Sequence, residues 1–483
     1  MAGSGHRRPH AVLVPFPAQG HINPMMQLAN KLIEQGFVIS FVSTDYNYSR
    51  IAKANKSIDK DSAVSREGNS HGDIRWVVVS DGLPPTDTRA DVIKLCHVTE
   101  NIIVSFIDKL IGEMKRRDPE EDICLITDCF AATALDVAKR HRIPMAALWV
   151  MFTATYALIY NLPNLVSSSL VPSNGVPNDF TKVKYLPSMP SLCSAHLPWA
   201  AGFNENQQEF IFGFIERYME RTRELKWVLF NSFYYLEAPI IDILIAQGAS
   251  VCSIGPCIPS PRLNGEVNSK ITANFWAEEA ECLDWLDKQS PKSVVYVSFG
   301  SLAMVNQRQL EEYAMGMEAT QKPFLWVLRS DLMDGSSAKL PPGFMEATKD
   351  RAYFVPWCPQ TQVLSHPSIA CFFTHCGWNS VMESIAMGVP MLCWPYFAEH
   401  FLISAYVVDI WKIGLALNTN IDGIAENREI EMGVKRVSED NEMKARVLKL
   451  SERAKDVVKG ETGPSYANFQ DFVKAMREEI HHK

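Results

Sequence analysis

Short apolar runs rich in Val, Ile and Phe alternate along this chain with stretches long enough for an amphipathic helix. That alternation is the signature of βαβ units assembled into parallel sheets. It occurs as two series. Runs at residues 10–17, 38–44, 74–79, 123–128 and 145–150 make the first, and runs at 293–298, 324–328, 353–356, 369–374 and 390–394 the second. The first helix is expected after Gly20, where Met25, Leu28, Ala29, Leu32 and Ile33 recur three and four residues apart. Between the series, residues 254–281 carry Gly255-Pro256, Pro259, Pro261 and the polar run 264–270, and read as a linker. A chain of 483 residues suits two large domains. The expected organisation is α/β with two Rossmann-like β/α/β domains: residues 1–252, a linker and domain start at 253–290, a second domain at 291–460, and a closing helix at 461–483. In that helix Tyr466, Phe469, Phe472 and Val473 share a face. The face suits docking on its own domain or back onto the first.

Composition narrows the function. The net charge of −8 and the lack of a basic tract argue against a nucleic-acid partner. No apolar run approaches the roughly 20 residues a membrane helix needs, and the start of the chain reads as carrying no signal peptide. The 11 cysteines are odd in number, scattered, and free of CxxC pairs. They predict buried thiols, no structural zinc and a cytoplasmic protein. Neither a metal nor a cofactor is expected, and the chain reads as a monomer.

The chemistry concentrates in residues 357–400. The buried run 369–374 ends in His375-Cys376-Gly377-Trp378-Asn379-Ser380. Gly377 allows close backbone approach there, and Asn379 and Ser380 suit a helix start. Free N–H groups and the helix dipole at such a turn attract an anion, and a diphosphate fits. His375 adds a donor, Glu383 stands one turn on to accept from a ribose, and Trp357 offers a flat face to a base. All lie at the carboxyl edge of a parallel sheet, where open α/β sheets bind ligands. In the first series, His21 follows a strand in a Gly-containing turn and Asp128 ends another. An imidazole oriented by a carboxylate suits removal of a hydroxyl proton.

This 357–400 segment resembles, over its full length and spacing, the signature box of plant secondary-product UDP-glycosyltransferases of the GT-B fold. Pro17-Ala18-Gln19-Gly20-His21-Ile22-Asn23-Pro24 and Tyr296-Val297-Ser298-Phe299-Gly300-Ser301 are similar to that family's first loop and first C-domain strand. The resemblance implies two domains facing each other across a cleft. It implies a UDP-sugar as co-substrate and inverting transfer to a small lipophilic acceptor such as a flavonoid, phenolic or terpenoid. By it, Trp357 stacks on uracil, and the Cys358 backbone and Gln360 side chain serve the nucleoside. Glu383 holds the ribose, and His375, Gly377, Asn379, Ser380 and Ser301 the diphosphate. Trp378, Glu399 and His400 face the sugar, and His21 is the base assisted by Asp128. Acceptor contacts are expected from Gly20, Phe130, Thr153 and Tyr396. His366 reads as structural, closing the turn before Pro367.

The sequence departs from the family pattern at its end. The box usually closes on a Gln, which here is His400, exchanging an amide for a rigid ring. This leaves the hexose or pentose of the donor open among glucose, galactose, xylose and arabinose. Two other readings share the same nucleotide site: a GT-B-like UDP-sugar epimerase and a non-catalytic nucleotide-sugar binder. A dehydrogenase fits poorly, because the first strand leads into PAQGH and not GxGxxG.

Overall fold

The computed structural model describes residues 7–55, 70–71, 74–178, 180–258, 272–329, 339–459 and 462–481. The polar run 264–270, with Pro259 and Pro261, therefore lies outside the described residues. Two parallel sheets dominate. The first contains β1 (His10–Val14), β2 (Val38–Thr44), β3 (Ser70–His71), β4 (Ile74–Val79), β5 (Ile123–Asp128), β6 (Met145–Trp149), β9 (Val228–Phe230) and β10 (Cys252–Ser253), in the order β10-β9-β6-β5-β1-β2-β4-β3. Only β3 runs antiparallel to its neighbour. A separate two-stranded ribbon joins β7 (Lys182–Val183) and β8 (Leu192–Cys193).

The second sheet contains β11 (Val294–Ser298), β12 (Phe324–Val327), β13 (Ala352–Val355), β14 (Ile369–Thr374), β15 (Met391–Cys393) and β16 (Gly414–Ala416), in the order β13-β12-β11-β14-β15-β16. Counted from its own first strand this is 3-2-1-4-5-6, the doubly wound order. Every residue of β1, β5, β11 and β14 is buried. Helices cover both faces of the sheets, so the central strands read as continuous apolar runs without alternation.

The topology decides where ligands go. In a doubly wound sheet the chain crosses to opposite faces after two adjacent central strands, and the loops part above a crevice. In the first sheet those strands are β1 and β5, paired Leu13 to Ile126. In the second they are β11 and β14, paired Ser298 to Thr374. The loops that follow these four strands carry Gly20, His21, Phe130, Ser301 and residues 375–380, while Trp357, Cys358 and Gln360 follow β13, and Tyr396, Glu399 and His400 follow β15.

The closing helix, Pro464–His481, docks on the first sheet. Phe472 and Met476 are buried with Phe37, Ala146 and Leu229. Asn468 donates to the Ser253 carbonyl at 2.9 Å, and Lys226 pairs with Glu479 at 2.6 Å. The first helix, Gln19–Glu34, begins just before Gly20, so His21 sits in its first turn.

Candidate functional site

At the second switch point, the loop after β11 and the turn after β14 close around one imidazole. The His375 ring lies against Gly300 and Gly377, and a Cβ on either glycine would fall 2.5 Å from its Nε2. Gly300 also has φ +71°, so a side chain there would be strained twice over. Cys376 takes the left-handed conformation at φ +69°, an uncommon choice for a residue with a Cβ. Burial, reinforced by the charge of Arg329, pushes the His375 pKa down to about 4, and a hydrogen bond with the Ser298 backbone opposes this. The ring is therefore neutral near pH 7. Its Nδ1 has no partner among the described residues.

The helix Trp378–Met387 starts at Gly377 with no side-chain cap. Its first hydrogen bond is from Val381 to the Gly377 carbonyl, 3.0 Å. Asn379 and Ser380 therefore stand at the helix start, as expected, with Gly377 in the cap position. Both lie inside the first turn, and their side chains bond to other segments rather than to the helix's own N–H groups. Ser380 Oγ accepts from Gln360 Nε2 at 2.9 Å, and the same nitrogen reaches Glu383 Oε2 at 2.8 Å. Gln360 is in turn held by the Tyr296 hydroxyl at 3.0 Å. An uncapped helix start beside a buried, neutral imidazole is a site for an anion.

Trp357 follows β13 and lines the cavity. Trp276, from the interdomain stretch, stacks on it with ring centroids 4.7 Å apart and planes 25° from parallel. The Trp357 carbonyl accepts from the Glu279 backbone at 3.0 Å. The Cys358 thiol is buried against the Tyr296 hydroxyl at 3.4 Å.

At the first switch point His21 and Asp128 meet, with Nδ1 to Oδ2 at 2.7 Å. Asp128 is buried, and its other oxygen accepts the Phe130 backbone N–H at 2.9 Å. A carboxylate can only accept, so it holds the proton on Nδ1 and leaves the Nε2 lone pair free. Phe16 and Phe130 flank the imidazole at centroid distances of 5.0 and 5.1 Å and restrict its rotation.

A proline ties the two switch points together. Pro24 lies inside the first helix and has no N–H, so the carbonyl four residues earlier, on Gly20, receives no helical bond. That carbonyl accepts Asn379 Nδ2 across the cleft at 2.6 Å. Asn231, just past β9, donates to Asn379 Oδ1 at 3.2 Å, and its own carbonyl takes the Trp378 indole N–H at 2.8 Å. The Trp378 ring packs on Phe152 at 4.8 Å. Its indole thus packs in the seam between the halves, while the residue also lines the cavity.

Between the two switch points lies a cavity of about 300 Å³. Gly300, Ser301, Trp357, Cys358, Gln360, His375, Gly377, Asn379, Ser380 and Glu383 line one side. Gly20, His21, Phe130 and a group of apolar side chains including Phe214, Ile215 and Tyr218 line the other. Glu399 and His400 stand between them. Burial raises the Glu399 pKa, and the nearby His21 opposes the rise. Burial and the neighbouring His375 hold His400 well below its usual value, with the two rings 4.9 Å apart. His400 Nδ1 also has no partner among the described residues.

Two expected acceptor contacts lie elsewhere. Thr153 is fully buried and donates to Glu237 Oε2 at 2.6 Å, so it does not line the cavity. Its Glu237 partner is a buried carboxyl whose pKa burial lifts to about 7. Tyr396 lines a neighbouring cavity instead. His366 is structural, bonded to Ser368 Oγ at 2.8 Å. No signal in the sequence pointed to Asn231 or Trp276, each a lone residue outside any motif. Among the described residues no group of three or more His, Cys, Asp or Glu is placed to hold a metal ion, and no helix is long and apolar enough to cross a membrane.

Comparison with known proteins places this geometry. A family described as "UDP-glucoronosyl and UDP-glucosyl transferase" matches residues 47–459, and a glycosyltransferase N-terminal domain family matches residues 10–66. A 7-deoxyloganetin glucosyltransferase of Gardenia jasminoides is 34% identical, with 97% of each chain covered. A (R)-mandelonitrile beta-glucosyltransferase of Prunus dulcis is 33% identical, with 97% of each chain covered. Os79 from O. sativa, solved with UDP, superposes at TM-score 0.79 with 27% identity over 96% of this chain and all of that one. Phytolacca americana UGT2, complexed with UDP-2fluoro-glucose and pterostilbene, gives 0.78 and 26%, over 97% of this chain and 99% of that one.

Proposed function

The chain belongs to the UDP-glucoronosyl and UDP-glucosyl transferase family, as a plant secondary-product UDP-glycosyltransferase of the GT-B fold, and from that premise we propose how it works. His21 removes the proton from an acceptor hydroxyl while that oxygen attacks the anomeric carbon. Asp128 fixes the tautomer and stabilises the imidazolium that forms. UDP departs from the opposite face, so the anomeric configuration inverts through an oxocarbenium-like transition state. The uncapped start of the helix Trp378–Met387 and the neutral His375 donor meet the charge developing on the leaving diphosphate. Trp357 stacks on uracil, Gln360 and the Cys358 backbone hold the nucleoside, and Glu383 takes the ribose. Glu399 and His400 contact the sugar. The acceptor enters on the apolar side, against Phe130 and Tyr218.

The observation that carries this reading is the 2.7 Å contact between His21 and Asp128 on the wall facing the diphosphate turn. The relatives' names favour UDP-glucose as donor and a small lipophilic alcohol as acceptor. We further propose residues 1–252 as the acceptor domain, 291–460 as the donor domain, 253–290 as their connection, and 461–483 as an arm on the first. The eleven cysteines are all free thiols, which supports a reducing compartment such as the cytosol. A monomer without cofactor completes the proposal.

Incubation with UDP-glucose, UDP-galactose, UDP-xylose and UDP-arabinose against a panel of phenolic and terpenoid alcohols, read by mass spectrometry, tests it. The expected result is UDP release only when acceptor is present, with a product of inverted configuration by NMR. Conversion of one UDP-sugar into another without acceptor would assign an epimerase. Nucleotide binding with no turnover across the panel would assign a binder. The donor ranking is expected to change in His400→Gln, and an unchanged ranking removes His400 from sugar selection.

A further inference from the structure

A second cavity of about 630 Å³ adjoins the first, and Ala18, Val92, Phe203, Leu302 and Phe397 line both. Its wall carries three guanidinium groups, from Arg50, Arg89 and Arg329, and they are not equivalent. Arg89 binds Asp81 through two hydrogen bonds of 2.9 and 3.0 Å, and its remaining N–H groups go to carbonyls of Leu83, Pro84 and Asp87. Arg329 donates to the carbonyls of Gly300 and Ala303. Arg50 is held by ring faces alone, with its guanidinium carbon 4.3 Å from the Trp276 ring centre, 4.9 Å from Phe275 and 5.8 Å from Tyr46. Among the described residues it makes no hydrogen bond or ion pair. Stacking fixes the plane of a guanidinium and leaves its N–H edge open, the geometry that takes a carboxylate through two parallel hydrogen bonds. The acidic residue on the same wall, Asp91, has its carboxylate engaged as a helix cap with the backbones of Ile93 and Lys94.

Resting on the glycosyltransferase reading, we propose that this second cavity is an acceptor subsite for a carboxylate, anchored by Arg50. The acceptor then bears a hydroxyl at one end, presented to His21, and an acidic group at the other, with an apolar body lying across Phe203 and Phe397. Tyr396, expected to contact the acceptor, lines this second cavity. The substrate class is a hydroxylated lipophilic acid.

The test uses ω-(4-hydroxyphenyl)alkanoic acids of increasing chain length, each paired with its methyl ester. Binding is read by calorimetry and transfer by UDP release. At the length that bridges the cavities, the acid is expected to exceed its ester at least tenfold in both affinity and kcat/KM. Arg50→Leu should bring that ratio near one, and Arg50→Lys should leave an intermediate value. Equal use of acid and ester by the wild type at every length overturns the subsite while the transferase reading stands. So does an acid preference that survives Arg50→Leu. Arg50-dependent binding of the acids with no sugar transfer to either series overturns the transferase reading instead. If Arg50→Leu does not fold, the wild-type ratio and Arg50→Lys still decide.

Discussion

The two switch points solve the same topological problem with opposite economies of sequence. After β11 and β14 the site is made by turns and by the start of one helix, and most of its side chains come from residues 357–400. After β1 and β5 the cavity wall is gathered from segments scattered between Phe16 and Tyr218. A ligand held by backbone N–H groups and a helix start demands glycines and short polar residues at fixed spacing. A ligand held by apolar contact demands only volume and shape, which many sequences supply. The proposed nucleotide side is therefore written as a motif, and the proposed acceptor side is legible only as a fold.

If the halves are this distinct, substitutions should separate them. The largest effect is expected from Asp128→Asn, which keeps the size of the side chain but no longer forces the proton onto His21 Nδ1. We expect kcat to fall by about 10²–10⁴ with UDP affinity within twofold of wild type, measured by initial rates and calorimetry. A parallel loss of UDP affinity would mean that the pair serves the nucleotide side as well.

Next in size is a pair of buried titrations of opposite sign, one on each side. His375 is protonated near pH 6.5 in the unfolded chain but only near 4 when folded. Between those values the unfolded chain binds more protons, so this group's contribution to stability falls as pH falls from 6.5 to 4. Glu237 behaves in reverse, holding its proton to about 7 when folded against 4.5 unfolded. Its contribution is lost as pH rises through that window. Each is on the order of 3 kcal/mol at full extent. Urea midpoints across pH 4.5–7 should tilt toward greater stability at high pH in Glu237→Gln and the other way in His375→Gln. A shared tilt would contradict the assignment.

Gly300→Ala drives a methyl group into the His375 ring. An overpacking cost of about 1–3 kcal/mol should weaken UDP binding roughly tenfold and raise the donor KM by the same factor for every acceptor. A change that depended on the acceptor would blur the division. The smallest effect is expected at the link between the halves. Pro24→Ala restores an N–H that competes with Asn379 for the Gly20 carbonyl. A contested hydrogen bond is worth about 1 kcal/mol, so kcat/KM should drop a few fold with thermal stability unchanged or raised.

The same contrast explains what the sequence revealed. The apolar runs of β1, β2, β4, β5 and β6, and of their counterparts in the second sheet, coincide with observed strands to within a few residues. Long buried strands leave a strong pattern. The short strands β9, β10 and β16 lie outside every expected run. A motif names residue types and not directions, so nothing in the sequence shows that the Trp378 indole packs in the seam with Phe152 while the residue also lines the cavity. Thr153 was misplaced because a buried Glu237, distant in sequence, claims its hydroxyl. Arg50 was invisible, because its surroundings come from residues 46, 275 and 276, which only the tertiary fold brings together.

The most direct measurement is calorimetric titration of UDP into His21→Ala alongside its rate of sugar transfer. A cavity with a nucleotide wall and a separate proton-accepting wall predicts UDP affinity within twofold of wild type and transfer reduced at least a hundredfold. Transfer within tenfold of wild type, or loss of UDP binding, would contradict it.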